Sequence, residues 1–402
     1  MQPDILSSRA RIDDTRHPSA RLPRRIRIGV YNASERYHGY TTGVGRHVNR
    51  MVAGLATHPD FDVTFMVPKD HWVLDRACTP EDQLFGVRSM RLPQSRQALQ
   101  IASLLLRRPL LDKYLAGVDW IYSPREQLFA TGSAAAAVTF HDVYHLEPSN
   151  PDNAHPRAIR LRVLWRAAVE RAATVLTTSE FSKQRICEIL RADASRVHVI
   201  GNGVEEIFLD VAKSDPRKVS PLPEHTYFLS IGGLSRKKGG HNILLFANRL
   251  EKCDRDARLV VIGPVEPQYA GAAHASGNIL IIDRGLPDYQ IARWIRGALA
   301  VLVLSEYEGF GIPALEAMAA GVPVIANDAS SLPEVVGDAG LMIDAASMKD
   351  IDSALDIRSD PGLRAELIKR GCERVKRWRW DQCVDKLSAA LRATSAPDPQ
   401  TE

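Results

Sequence analysis

The stretch LSEYEGFGIPALEAMAAGVPVIANDASSLPEVVGDAGLMID, residues 304–344, decides the fold class. It overlaps an apolar run, residues 298–304, whose unbroken hydrophobicity predicts a parallel strand buried on both faces. A glycine-broken loop follows, Glu308, Gly309, Phe310 and Gly311, and Pro313 marks a helix start, because its missing N–H would have no partner in a first turn. The helix carries Leu315, Met318 and Ala319 toward a core and stops at Gly321, and residues 322–326 form the next short strand. Glu308 and Glu316, with seven residues between them, stand just past the strand's end and in the helix's first turns, so both can face one crevice. Loop amides and the helix N-terminus add partial positive charge there, a seat for phosphate oxygens. Carboxylates for sugar hydroxyls beside amides for a diphosphate point to a nucleotide-sugar site.

Read without further context, Glu308 could equally be a loop carboxylate and Glu316 a favourable first-turn charge on a Rossmann helix. The surrounding residues favour the functional reading. EGFGIPALE (308–316), followed by AMAAGVPV (317–324), resembles the donor-site signature of the family 4 retaining glycosyltransferases with a GT-B fold. Two glutamates separated by seven residues are that family's hallmark. The resemblance implies that Glu308 holds donor-sugar hydroxyls and Glu316 the ribose, with Phe310, Gly311 and Ile312 forming the loop around the donor.

Composition sets the outer limits. A chain of 402 residues is too long for one typical core and suits two domains, and its 45% hydrophobic and 25% charged residues are those of an ordinary globular protein. The apolar runs are far short of a membrane span. Five scattered cysteines without a Cys-x-x-Cys pair argue for a reducing compartment over a disulfide framework or a zinc site. The N-terminus has no apolar signal core. A net charge of +4 is too small to imply nucleic acid but is compatible with an anionic membrane surface. The expected location is the cytoplasm, with peripheral contact at the inner face of the cell membrane.

Along the first half, residues 1–24 read as a polar, arginine-rich tail. Residues 25–31 read as a first strand, followed by a loop with Gly39, Gly43 and Gly45 and a helix over 44–56. TTGVGR (41–46) resembles the glycine-rich loop after the first strand in the same family, where glycines let backbone approach the donor's phosphates or the reacting sugar. A tight turn is the plainer reading, and no dinucleotide fingerprint is present. Residues 95–116 form an apolar face broken at Pro109 with Arg96, Arg107, Arg108 and Lys113 beside it: a core-facing helix pair, or an interfacial basic helix. The strand 135–140 ends in His141 and Asp142, where open α/β sheets place ligands. The resemblance puts His141 beside the anomeric centre with Asp142 orienting it. A metal-dependent phosphohydrolase or a structural histidine are the other readings. SEFS (179–182), with Ser179 or Ser182 as a helix cap, and GNGV (201–204) echo the family near the end of its first domain.

Residues 211–224 read as the interdomain linker, and LSRKKG (234–239) brings basic side chains to a helix N-terminus, as a diphosphate requires. Lys238 and Gly239 match the family's Lys-Gly, but the family's arginine position is Gly233 here, which passes its charge to Arg236 or Lys237. The domains are thus expected as 25–210 for the acceptor, 225–378 for the donor, and a helix at 379–393 returning to the first domain, with a tail at 394–402. The fold class expected is α/β: two Rossmann-like domains facing a central cleft. The expected reaction moves a hexose from a nucleotide sugar to a glycan or lipid-linked acceptor with retention. GDP-mannose is the first choice of donor, a UDP-sugar the second, and no metal or other cofactor is expected. A sugar phosphorylase, a nucleotide-sugar epimerase or a non-catalytic binding subunit of the same shape are the alternatives.

Overall fold

The computed structural model describes residues 24–31, 36–37, 40–41, 43–69 and 87–394. The tails read at 1–24 and 394–402 fall outside them except for Arg24 and Thr394, as does Gly39.

The apolar runs become parallel strands, because only a sheet covered on both faces can bury them. A short antiparallel pair, β2 (Arg36–Tyr37) and β3 (Tyr40–Thr41), follows β1 (Ile26–Tyr31) and stands apart from the two main sheets. The first sheet joins β1 to β4 (Phe61–Val67), β5 (Arg88–Arg91), β6 (Trp120–Ser123), β7 (Ala135–Phe140), β8 (Thr174–Thr177) and β9 (Val197–Val199), in the order β5-β4-β1-β6-β7-β8-β9. The second takes β10 (Tyr227–Ile231), β11 (Arg258–Ile262), β12 (Ile279–Ile282), β13 (Ala300–Val303), β14 (Val324–Asn327) and β15 (Leu341–Ile343), in the order β12-β11-β10-β13-β14-β15. Every pairing within the two sheets is parallel. Strand order reverses between β1 and β6 in one sheet and between β10 and β13 in the other. Such a switch point opens a crevice beyond the strands' carboxyl ends. The expected pair of Rossmann-like domains is what forms.

The helices of the first half include α1 (Gly43–Thr57), α2 (Arg96–Leu106), α3 (Pro156–Arg171) and α4 (Glu180–Leu190). Ser179, the first of the two candidate caps, starts α4 by accepting the Ser182 N–H at 3.0 Å. The 95–116 segment is only half a core element. Leu99 and Leu111 are buried, whereas Ile101, Leu105 and Leu106 of α2 face outward. In the second half, α5 (Gly240–Cys253), α6 (Asp288–Gly297), α7 (Ile312–Ala319) and α8 (Leu332–Val336) surround the second sheet. Residues 211–224 are no extended tether: a helical turn, Pro216–Val219, is capped by Asp215 and receives the Arg293 guanidinium on the Val219 carbonyl at 3.0 Å.

The last helix, α9 (Trp380–Ala393), crosses back to the first domain. Its Val384, Leu387 and Leu391 are buried in one cluster with Val48, Met51, Val52 and Leu55 of α1. Each such side chain contributes about 1.5–3 kcal/mol by leaving water. Trp378 and Trp380 make the corner: the Trp378 ring meets Phe310 edge-on at 4.9 Å, and the Trp380 indole N–H donates to Glu205 at 3.1 Å.

Candidate active site

The carboxyl ends of β7, β10 and β13, with the first turns of α1 and α7, enclose a cavity of about 450 Å³ between the two sheets. From β7 come His141 and Asp142, from the loop after β10 Lys237 and Lys238, from the loop after β13 Glu308, and from α7 Glu316. Both glutamates are buried, at 7% and 3% exposure, so neither is the solvated loop or helix charge that the plainer reading allows.

Lys238 donates to Glu308 Oε1 at 2.8 Å, and Ser305 donates to the same oxygen at 2.8 Å. Lys237 reaches the other domain, donating to Asp142 Oδ2 at 2.6 Å. Burial pushes the Asp142 carboxyl up, but the Lys237 ammonium outweighs it and holds Asp142 below the ordinary range. Lys237 also lies over the rings of Tyr144 and Tyr307, at 5.2 and 5.8 Å.

The His141 ring donates from Nε2 to the Pro124 carbonyl at 3.1 Å, since a carbonyl can only accept. That leaves Nδ1 as the ring's lone-pair acceptor. Burial pushes its pKa down to about 4. His47 stands edge-on to it at 4.8 Å, donates from Nδ1 to Asn202 at 2.7 Å, and is pushed down to about 3, by burial first and His141 second. Both imidazoles are neutral at physiological pH, so His141 can accept a hydroxyl proton's hydrogen bond but brings no positive charge.

Arg46 is the cation that the sequence reading missed. Buried at 8% exposure in α1, it bridges the domains, with Nη1 on Glu316 and Nη2 on Asp288 at 2.7 Å. Burial works against the guanidinium's charge; the carboxylates of Glu316 and Asp288 outweigh it and hold its pKa above the ordinary value. TTGVGR was read for its glycines alone, and no local pattern flags a partner 270 positions away.

Gly43, Phe310, Gly311 and Ile312 line the cavity as expected. Three expected residues do not. Gly45 is buried within α1, away from the cavity wall. Gly233 sits behind the wall, where an added Cβ would stand 1.9 Å from the Pro264 carbonyl oxygen, and Gly232 takes the lining position. Arg236 is half exposed and points to Glu306 at 4.0 Å, outside the cavity. Of the two side chains offered for the missing arginine's charge, only Lys237 is in place.

The domains meet on the loop after β13. The Gly309 carbonyl accepts from Ser179 at 2.6 Å and from Thr178 and Ser182 at 3.1 Å each. Glu334 of α8 accepts the Glu180 N–H at the start of α4, at 2.9 Å. A Cβ on Gly309 would lie 2.2 Å from the His141 carbonyl oxygen, so the approach of the two domains requires a glycine here.

Comparison with known proteins agrees with this architecture. Glycosyltransferase Family 4 matches residues 41–206, and Glycosyl transferases group 1 matches residues 212–374. O-antigen chain mannosyltransferase B of Escherichia coli is 27% identical over 297 residues, 68% of this chain and 74% of that one. A D-inositol 3-phosphate glycosyltransferase of Acidothermus cellulolyticus is 28% identical over 250 residues, 58% of this chain and 56% of that one, so the match spans little more than half of that relative. The solved structure of sucrose-phosphate synthase from Thermosynechococcus elongatus covers 92% of this chain and 99% of its own, with a TM-score of 0.71; at 20% identity it speaks for the fold alone. With the cleft built and both halves matched, the chain belongs to the family 4 glycosyltransferases and is a retaining glycosyltransferase of GT-B fold.

Proposed function

We propose that the enzyme moves mannose from GDP-mannose to a hydroxyl of a glycan or lipid-linked glycan in bacterial polysaccharide synthesis. The observation that carries this is the convergence of Glu308, Glu316, Lys237, Lys238 and His141 on one cavity between the domains. Glu308 holds donor-sugar hydroxyls, Glu316 the ribose, and His141, its ring held by the Pro124 carbonyl and not by Asp142, which pairs with Lys237, accepts from a hydroxyl near the anomeric carbon. The bond from that carbon to the β-phosphate oxygen breaks as the acceptor oxygen bonds on the same face, and the acceptor's proton passes to the departing diphosphate. Lys238, with Lys237 when it leaves Asp142, neutralises that diphosphate, so the reading needs no metal ion. The mannosyl choice is supported by the O-antigen mannosyltransferase relative.

A thermal-shift series with GDP, UDP, GDP-mannose and UDP-glucose tests the donor. A ligand at a hundred times its Kd adds about 2.7 kcal/mol. One guanosine ligand should raise Tm, and Lys238→Ala should abolish the rise. A rise with uridine ligands alone would replace the donor; none with any would remove the nucleotide-sugar reading. A covalent glycosyl-enzyme would refute the direct step.

The same reading keeps the enzyme in the cytoplasm, against the inner face of the membrane. Among the described residues no helix is long and apolar enough to cross a membrane. In support of peripheral contact, Ile101, Leu105 and Leu106 of α2 and Ile159 and Val163 of α3 are exposed, and Arg107, Arg108, Arg157 and Arg160 stand among them. Neither 96–108 nor 156–169 contains an acidic residue. The Arg171 guanidinium on the Ser103 carbonyl at 2.6 Å joins the two helices. Apolar side chains beside arginines fit an anionic bilayer. Flotation with anionic vesicles should carry the protein up, neutral vesicles and the Leu105→Glu/Leu106→Glu variant should not; equal behaviour in all three would refute the contact.

A further inference from the structure

Glu316 belongs to the second domain, yet its carboxylate is held by the first. Arg46 leaves α1, crosses the cleft and spreads its fork over Glu316 Oε1 and Asp288 Oδ1. The contact takes one oxygen of Glu316; Oε2 has no protein partner among the described residues, in a side chain that lines the cavity. A buried ion pair is weak evidence for stability, because the desolvation of both charges offsets their attraction. Its place on the wall of a ligand cavity, between domains that must meet to form it, is better explained by what the free oxygen does.

We propose that Arg46 is a positioning residue for the donor: from across the cleft it fixes the Glu316 carboxylate so that Oε2 is presented to the ribose hydroxyls of the nucleoside diphosphate. The proposal rests on the reading of Glu316 as the ribose ligand. It makes donor recognition a property of both domains, so a donor is gripped fully only when the cleft is closed. The charges around Glu316 explain why a cation is needed. Asp288 at the start of α6 and Glu205 after β9 both act on it, and Arg50 of α1 is already spread over Glu205 at 2.9 Å from its Nε. Without Arg46 the buried Glu316 would sit with two other acids and take up a proton, turning an acceptor into a donor. Burial already pushes the Glu316 carboxyl up, against the pull of Arg46.

Calorimetric titration of GDP and UDP, and of their 2′,3′-dideoxy analogues, tests this in the full chain at pH about 6.5 and about 8.5. The native enzyme should prefer the ribose form of its nucleotide by about tenfold, the worth of a charge-assisted hydrogen bond. Arg46→Met should lose that preference, and lose more of it at the lower pH than at the higher. Arg46→Lys keeps the charge and should keep part of the preference at both pH values; it also carries the test if Arg46→Met does not fold. Equal weakening of ribose and dideoxy forms in either variant at both pH values, or no change, would overturn the proposal, because Arg46 would then act on the phosphates or on the fold. If the native enzyme shows no ribose preference, or Glu316→Gln keeps it, the reading of Glu316 fails instead, whatever Arg46 does.

Discussion

Replacing Gly309 with alanine tests whether the two loops must touch for turnover. Gly309 does not sit in the left-handed region of backbone space, so the substitution brings no local strain of its own. Its Cβ, however, would stand 2.2 Å from the His141 carbonyl oxygen and 3.0 Å from Asp142 Cβ. Non-bonded atoms settle at about 3.5–4.0 Å, so the loops after β7 and β13 must separate by roughly 1 Å. Overpacking of this kind costs about 1–3 kcal/mol. The cost falls on closure, and the three hydroxyl bonds to the Gly309 carbonyl lengthen with it. A penalty of that size lowers kcat/KM about 5- to 150-fold. Neither domain's core is touched, so Tm should move little, and binding of the nucleoside diphosphate to Lys238 should persist. Steady-state transfer assays beside a melting curve separate these outcomes. Full activity in Gly309→Ala would refute the reasoning, since the domains would then work without meeting here.

Lowering the pH should destabilise the protein through its two buried imidazoles. His141 and His47 titrate at about 4 and about 3 in the folded chain and near 6.5 when unfolded, so between about 6.5 and 4 only the unfolded state takes up those protons. Stability therefore falls with pH in that window, by about 1.4 kcal/mol per unit for each histidine, and a Tm–pH profile flat below pH 6 would contradict it. Lys237→Met should lower kcat/KM more than Tm, and adding Asp142→Asn should cost little further, because the pair acts across the cleft; strictly additive losses in that double-mutant cycle would deny the coupling. Leu387→Ala, by opening a cavity between α9 and α1, should cost about 2–5 kcal/mol in denaturant unfolding, and a loss under 1 kcal/mol would show the helix to be loosely held.

The parts of the site that the sequence disclosed are those whose meaning is local. Strand, loop and helix are written in neighbouring residues, so Glu308 and Glu316 could be placed at a strand end and on a helix, and His141 at the end of β7. What needed coordinates is what one domain does to the other. Arg46 meets its glutamate across 270 positions and Lys237 its aspartate across 95, and hydrophobic periodicity says nothing at that range. Gly309 reads in sequence only as part of a glycine-broken loop, and nothing local shows that its neighbour is a carbonyl of the opposite domain. Gly233 and Arg236 were assigned by motif position, but the turn after β10 points one inward against Pro264 and the other out toward Glu306. For α2, an apolar pattern fixed the helix but could not say whether core, solvent or another surface meets each side.

The return of α9 to the first domain bears on how the chain is made. The half that leaves the ribosome earlier carries α1 with a face whose cover is encoded after the second domain, in Val384, Leu387 and Leu391. At about 5–20 residues per second, the roughly 180 residues between the first domain and that helix take about 10–40 s to synthesise. For that interval the earlier-made domain is one layer short, and the later-made domain has time to fold on its own before the closing strip arrives. Completion of one half is thus timed by the other. A stop codon between Val375 and Trp380 would leave a finished second domain attached to an unfinished first.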